Sequence, residues 1–258
     1  MKPSNLPTSA LTPNGLSNDP SAPMLSLDDV HTYIGQFHIL QGISMQVRRG
    51  AATVLLGRNG AGKTTTLKTI MGLIPPRNGA IAFNGAKLDG EITYKLARRG
   101  IGYVPEDRGI FRDMTVEENL KLAARSVSSG EYRQRLDFCT ELFPDMQRFM
   151  RQKAGTLSGG QQQMVAMSRG LMVDNKLLLI DEPSKGLAPI VVQAVIEALV
   201  KLKSHITILL VEQNFTMASI VGDYFYLIDD GHNVANGTME ELINDKELTR
   251  KYLGVGGV

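Results

Sequence analysis

The run Gly57-Arg58-Asn59-Gly60-Ala61-Gly62-Lys63-Thr64 has the spacing G-x-x-x-x-G-K-[ST], and its residue types suit one task, the binding of phosphate oxygens. Glycine lets successive backbone amides turn inward around an anion. Lys63 brings positive charge for terminal phosphates, Thr64 a hydroxyl for Mg²⁺, and the residues after them a helix N-terminus whose dipole favours negative charge. Thr65 adds a further phosphate contact. Well downstream, Lys176-Leu177-Leu178-Leu179-Ile180 ends in Asp181-Glu182, at the carboxyl end of an apolar strand, where open α/β sheets bind their ligands. Neighbouring side chains on a strand face opposite ways, so the two carboxylates should differ in task. Asp181 is expected to hold Mg²⁺ through water and Glu182 to position or deprotonate an attacking water.

Between these elements lies Leu157-Ser158-Gly159-Gly160-Gln161, followed by the helix-like Gln162–Val173 stretch. It is a second glycine-rich helix start with free amides and a hydroxyl, hence another anion site. Taken alone, such a segment reads more simply as a helix cap, and Asp181-Glu182 alone as an acidic turn. One nucleotide does not need two anion sites from one chain, so the second suits the nucleotide of a neighbouring chain.

The elements that must position these residues follow from patterning. From Met24, short apolar runs separated by Gly and charged residues read as hairpin strands. Thr115 with Glu118 three residues on is a capping box ahead of Leu120 and Leu122, opening a helical stretch to about Met150. From Lys176 onward, apolar strands alternate with amphipathic helices, the rhythm of a parallel sheet with crossover helices. Residues 1–23 carry five of the eleven prolines among Ser and Asn and read as a disordered extension, leaving 24–258 as one folded domain. A net charge of +2 argues against a nucleic-acid footprint. The single Cys139 allows no intramolecular disulfide and fits a reducing compartment. No stretch reaches the roughly 18 residues of apolar sequence that span a bilayer, and nothing after Lys2 resembles an export signal.

The phosphate loop, LSGGQ and LLLIDEP, in this order, resemble the ATP-binding subunits of ABC transporters across residues 24–258. The segments YVPEDRGIF, MTVEENL, ELFPDM, LSGGQQQM, DEPSKGLAP and LVEQN narrow the resemblance to the ATPase subunits of branched-chain (hydrophobic) amino acid importers, of the LivF type. The resemblance implies an α/β phosphate-loop NTPase fold with a RecA-like mixed-sheet core and an antiparallel β subdomain, and a helical subdomain inserted over about residues 106–165. It also implies a head-to-tail dimer in which each ATP, with Mg²⁺, lies between the phosphate loop of one subunit and Ser158–Gln161 of the other. The expected partners are two transmembrane permease subunits and, indirectly, an extracytoplasmic substrate-binding protein. The expected location is peripheral, at the cytoplasmic face of the inner membrane.

Several positions depart from the general family pattern. Where a Gln usually faces Mg²⁺ and the membrane partner, this chain has Glu106, a carboxylate able to ligand the metal directly. The usual switch His is Gln213, which can orient the γ-phosphate and water but cannot titrate near neutral pH, leaving Glu182 as sole base. Ala188 replaces the usual Asp after DEP, and Lys185 is read as a solvated charge without a role. For the adenine, Tyr33 stacks if its strand bulges; otherwise Ile34 or Phe37 supplies the apolar surface. Phe111 and Met114 are candidates for the groove that meets the membrane subunits. The expected function is ATP hydrolysis driving uptake of branched-chain or other hydrophobic amino acids. Related urea, amide or aromatic-acid import is the alternative, and a soluble ABC ATPase or a small-molecule kinase are the other classes.

Overall fold

The computed structural model describes residues 22–88 and 90–254; of the extension expected over residues 1–23, all but Ala22 and Pro23 lies outside them. Two long strands, β1 (Leu25–Ile34) and β2 (Phe37–Val47), pair antiparallel across a turn at Gly35, whose φ of +60° suits glycine. The short, fully buried β3 (Ala52–Leu56) runs into the phosphate loop and α1 (Lys63–Ile70). Next, β4 (Asn78–Phe83) and β5 (Ala86–Lys87) return to the first pair and complete an antiparallel sheet in the order β2-β1-β4-β5. Short α2 (Thr93–Arg98) then leads into β6 (Ile101–Val104).

The central stretch is helical, with α3 (Val116–Ala123), α4 (Ser129–Leu142) and α5 (Gly159–Leu171), the last two linked by 3₁₀ turns. Each begins with a reciprocal capping box, Thr115 with Glu118, Ser128 with Glu131 and Ser158 with Gln161, which satisfies amide groups the first turn leaves orphaned. The expected apolar pair in α3 divides: Leu120 is buried, whereas Leu122 is exposed. Asn119, fully buried on α3, accepts from the Phe111 amide and donates to the Phe111 and Thr115 carbonyls at 2.9 Å, pinning the preceding loop to the helix.

The expected strand–helix alternation then follows: β7 (Leu177–Asp181), α6 (Pro189–Leu202), β8 (Thr207–Val211), α7 (Phe215–Val221) and β9 (Tyr224–Asp229). The chain closes with β10 (His232–Thr238), α8 (Met239–Asn244) and α9 (Lys246–Leu253). The second sheet has the order β10-β9-β3-β8-β7-β6, parallel except at β10, which folds back antiparallel on β9. It is therefore a mixed sheet, as the resemblance implied.

Every residue of β3, β7 and β8 is buried, because both faces of these strands are covered. Alternation sorts their side chains into two cores. Leu178, Ile180, Ile208 and Leu210 pack with α5, α6 and the helical stretch, while Leu177, Leu179, Leu209 and Val211 pack against α1 and the antiparallel sheet. Burying each such side chain is worth about 1.5–3 kcal/mol, so the strands whose carboxyl ends carry Gly57 and Asp181 are firmly anchored. Among the described residues, no helix is long and apolar enough to cross a membrane.

Candidate active site

The phosphate loop is shaped by its glycines. Gly57 has φ +152°, and a Cβ there would stand 2.2 Å from the Ile228 carbonyl oxygen of the neighbouring strand. Gly62 has φ +107°, caps α1, and would drive a Cβ to 2.8 Å from Leu40. No larger residue fits either position without moving backbone or core. Lys63, buried, donates from Nζ to the Gly57 carbonyl at 2.9 Å and the Arg58 carbonyl at 3.1 Å, which curls the loop around its own ammonium. Arg58 turns away and donates to the Lys251 carbonyl on α9 at 2.8 Å.

The end of β7 meets the start of α1. The Thr64 hydroxyl donates to Asp181 Oδ1 at 3.0 Å, and the Tyr103 hydroxyl to Asp181 Oδ2 at 3.4 Å. Asp181 is only 1% exposed, and burial pushes its carboxyl up to about 6; the like charges of Glu106 and Glu182 add to this, and the two hydroxyl donors oppose it. Burial, with the Asp181 charge, also raises the Tyr103 hydroxyl, which therefore stays a donor. Glu182 lies just past the strand at φ +45°, its amide still donating to the Val211 carbonyl at 2.9 Å. That left-handed turn, not strand alternation alone, aims its carboxylate at the loop, where Oε1 is 3.4 Å from Lys63 Nζ.

Thr64, Lys63 and Glu182 open onto a cleft of about 540 Å³, which Asn59, Gly60, Gly62, Thr65 and Glu106 also line. Two expectations change here. Lys185 is not a lone solvated charge: its ammonium pairs with Glu106 and lies 3.6 Å from Glu182 Oε2. Tyr33 is not placed in the cleft. A register shift between Thr32 and Tyr33 does bulge the strand, but the Tyr33 ring stacks on His38 at 4.2 Å with the Arg77 guanidinium 4.7 Å from its centroid. Ile34 and Ile39 line the cleft instead, and Phe37 is largely exposed.

Gln213 is exposed and borders a separate hollow with Gly57, Arg58 and the end of α9, so it is not brought to the Glu182 cleft. Beside it, Glu212 was missed by sequence reasoning. Its buried carboxylate accepts from the amides of Ser184 at 3.0 Å, Gln213 at 3.0 Å and Asn214 at 2.9 Å, tying the turn after Glu182 to the end of β8. Burial raises its carboxyl and the three amides hold it down. The signal available was a carboxylate directly after the apolar run Ile208–Val211.

Ser158, Gly159, Gly160 and Gln161 lie apart from the cleft, at the N-terminus of α5. The Ser158 amide donates to Gln161 Oε1 at 3.0 Å and the Gln161 amide to Ser158 Oγ at 3.3 Å. Gly160 packs against α6, where a Cβ would meet Val191 at 2.7 Å. Arg108 reaches the same helix start, donating to Gln162 Oε1 at 3.1 Å. The chain thus presents two glycine-rich helix starts that do not share one cavity.

For a divalent cation, the oxygens at hand are hard donors: the Thr64 hydroxyl and the Glu106 carboxylate on the cleft, and the buried Asp181 carboxylate bonded to Thr64 behind it. These suit Mg²⁺, which takes few protein ligands and keeps waters and phosphate oxygens for the rest. Asp181 also fits: it is buried, both its hydrogen bonds come from neutral hydroxyls, and it forms no ion pair among the described residues. No ready-made cluster of three His, Cys, Asp or Glu exists among the described residues, so the phosphates themselves would complete the coordination.

Residues 40–185 match the family model described as ABC transporter. The high-affinity branched-chain amino acid transport ATP-binding protein BraG of Pseudomonas aeruginosa is 40% identical over 232 residues, covering 90% of this chain and all of that one. The probable branched-chain amino acid transport ATP-binding protein LivF of Archaeoglobus fulgidus is 36% identical, over 85% of this chain and 94% of its own length. A solved dimeric structure of a bacterial ABC transporter cassette superposes with a TM-score of 0.75 at 26% identity, over 84% of this chain and 99% of that one.

Proposed function

The chain belongs to the ABC transporter family, and on that premise we propose that it is the ATP-hydrolysing subunit of an importer for branched-chain or other hydrophobic amino acids. The observation that carries this reading is the meeting of the two motifs. The Thr64 hydroxyl bonds Asp181 while Lys63 faces Glu182 across one cleft, and Ser158–Gln161 stand outside it. The transport assignment is supported by the names of the two relatives above, and dimer formation by the dimeric cassette.

In the proposed mechanism the phosphate loop amides and the α1 N-terminus receive the triphosphate, and Lys63 exchanges its carbonyl partners for phosphate oxygens. Mg²⁺, when bound, neutralises charge on those oxygens; Thr64, Asp181 and Glu106 are the residues to hold it. Glu182 accepts the proton of the attacking water as the water oxygen bonds the γ-phosphorus and the bridging oxygen leaves with ADP. Ile34 and Ile39 offer the base an apolar surface. Ser158–Gln161 of a second ATPase subunit cover the γ-phosphate, so ATP binding joins the subunits and hydrolysis separates them. Two permease subunits at the cytoplasmic face of the inner membrane take up that motion, with a binding protein outside delivering substrate.

Uptake of labelled leucine in cells lacking this chain tests the reading. Wild type restores uptake and Glu182→Gln does not. Leucine uptake that never depends on the chain overturns the amino acid assignment and leaves the ATPase assignment standing.

A further inference from the structure

Lys185 sits on the turn after β7, where its amide donates to the Glu182 carbonyl at 3.1 Å and the next residue, Gly186, has φ +68°. The turn is fixed from below by the Ser184 amide on buried Glu212. From it, the Lys185 ammonium reaches two carboxylates from different strands: Glu106, after β6, and Glu182 Oε2 at 3.6 Å. Lys63 holds the other oxygen of Glu182, so that carboxylate lies between two ammonium groups. Asp181, Glu182 and Glu106 crowd this end of the sheet, and among the described residues the cations lining the cleft are Lys63 and Lys185. Glu106, with Glu182, raises the Lys185 ammonium, which stays charged.

We propose that Lys185 is a positioning residue that competes with Mg²⁺ for the Glu106 carboxylate, and so sets how strongly nucleotide binding depends on the metal. A carboxylate that engages an ammonium cannot give the same oxygen to a dication without bringing two positive charges together. Lys185 therefore swings off Glu106 as the metal arrives. Because the side chain is long and mostly exposed, the competition is modest and tunable. Removing the ammonium leaves Glu106 free for the metal and strengthens binding of the metal–nucleotide complex, while the unpaired Glu106 carboxylate repels the metal-free nucleotide. The ratio of the two affinities then rises.

The inference rests on the cleft being the ATP site. The test is calorimetric binding of a non-hydrolysable ATP analogue to the full chain, once with Mg²⁺ and once with EDTA. Lys185→Met and Lys185→Gln are expected to raise the ratio of affinities about two- to fivefold, the range of one partly exposed ion pair. In a Glu106→Gln background the same substitutions leave the ratio unchanged. An unchanged ratio in the single variants overturns the proposal, as does an equal rise in the Glu106→Gln background, which would mark a general field effect. A wild-type chain that binds the analogue in neither condition overturns the nucleotide reading, and this inference with it.

Discussion

Gly160 is the second residue of α5, and a Cβ added there would lie 2.7 Å from Cγ1 and 2.9 Å from Cγ2 of Val191 on the first turn of α6. Carbon–carbon contacts are comfortable at about 3.5–4.0 Å, so Gly160→Ala must push the two helix starts apart. Overpacking of this kind costs about 1–3 kcal/mol, while alanine in place of glycine within a helix returns about 1 kcal/mol. The net loss of up to about 2 kcal/mol lowers Tm by up to several degrees in a domain of this size. Val191→Ala removes both clashing methyls, so Gly160→Ala combined with Val191→Ala regains most of the lost Tm. ATPase activity separates packing from ligand contact. If Gly160 also lies against the partner's γ-phosphate, the double variant recovers its Tm but not its activity. A Gly160→Ala variant more stable than wild type, or one that Val191→Ala fails to rescue, refutes the packing argument.

Four further outcomes are expected. The Asp181 carboxyl, raised to about 6 by burial, binds its proton more tightly in the folded chain than in the unfolded one, where it titrates near about 3.9. Its contribution to stability is full below that lower value and is lost as pH rises through about 6. Asp181→Asn therefore raises the Tm of the metal-free protein at pH 8 and has little effect at pH 4. Mg²⁺-supported nucleotide binding by wild type falls below about pH 6, where Asp181 takes up its proton, and a titration flat from pH 8 to 5 contradicts this. Glu106→Gln replaces a carboxylate with a neutral oxygen and weakens the Mg²⁺ dependence of ATPase activity; an unchanged Mg²⁺ titration contradicts the ligand role. Asn119→Ala leaves the buried Phe111 amide and carbonyl without their partner, at a cost of about 1–3 kcal/mol, seen as a lower Tm and faster proteolysis near residues 111–115.

The phosphate loop and the Asp181-Glu182 pair were legible because their residue types are dictated locally. Gly57 and Gly62 are needed by backbone shape, and Lys63 and Thr64 by the chemistry of phosphate and metal. The strands β7, β8 and β9 with their crossover helices were legible from apolar runs and helical spacing, and the Thr115 cap from its Glu118 partner. What escaped depends on contacts between distant segments. The antiparallel return of β10 is set by its pairing with β9, since its own residues, His232–Thr238, carry little strand signal. Tyr103 reaches Asp181 only because β6 and β7 are neighbours in the sheet. Lys185 looked solvated because Glu106, its partner, lies far away in sequence. Tyr33 illustrates a further limit: the one-residue offset from Ile34 was visible, but the stacking on His38 that removes the ring from the cleft was not.

The central claim is that this cleft hydrolyses ATP with Glu182 as base, and the most direct measurement is phosphate release by wild type and Glu182→Gln, with bound nucleotide quantified in the same samples. Wild type is expected to turn over with Mg²⁺, and Glu182→Gln to retain ATP while phosphate release falls by about 10²–10⁴-fold, the usual contribution of a general base. Phosphate release from Glu182→Gln at the wild-type rate would contradict the claim.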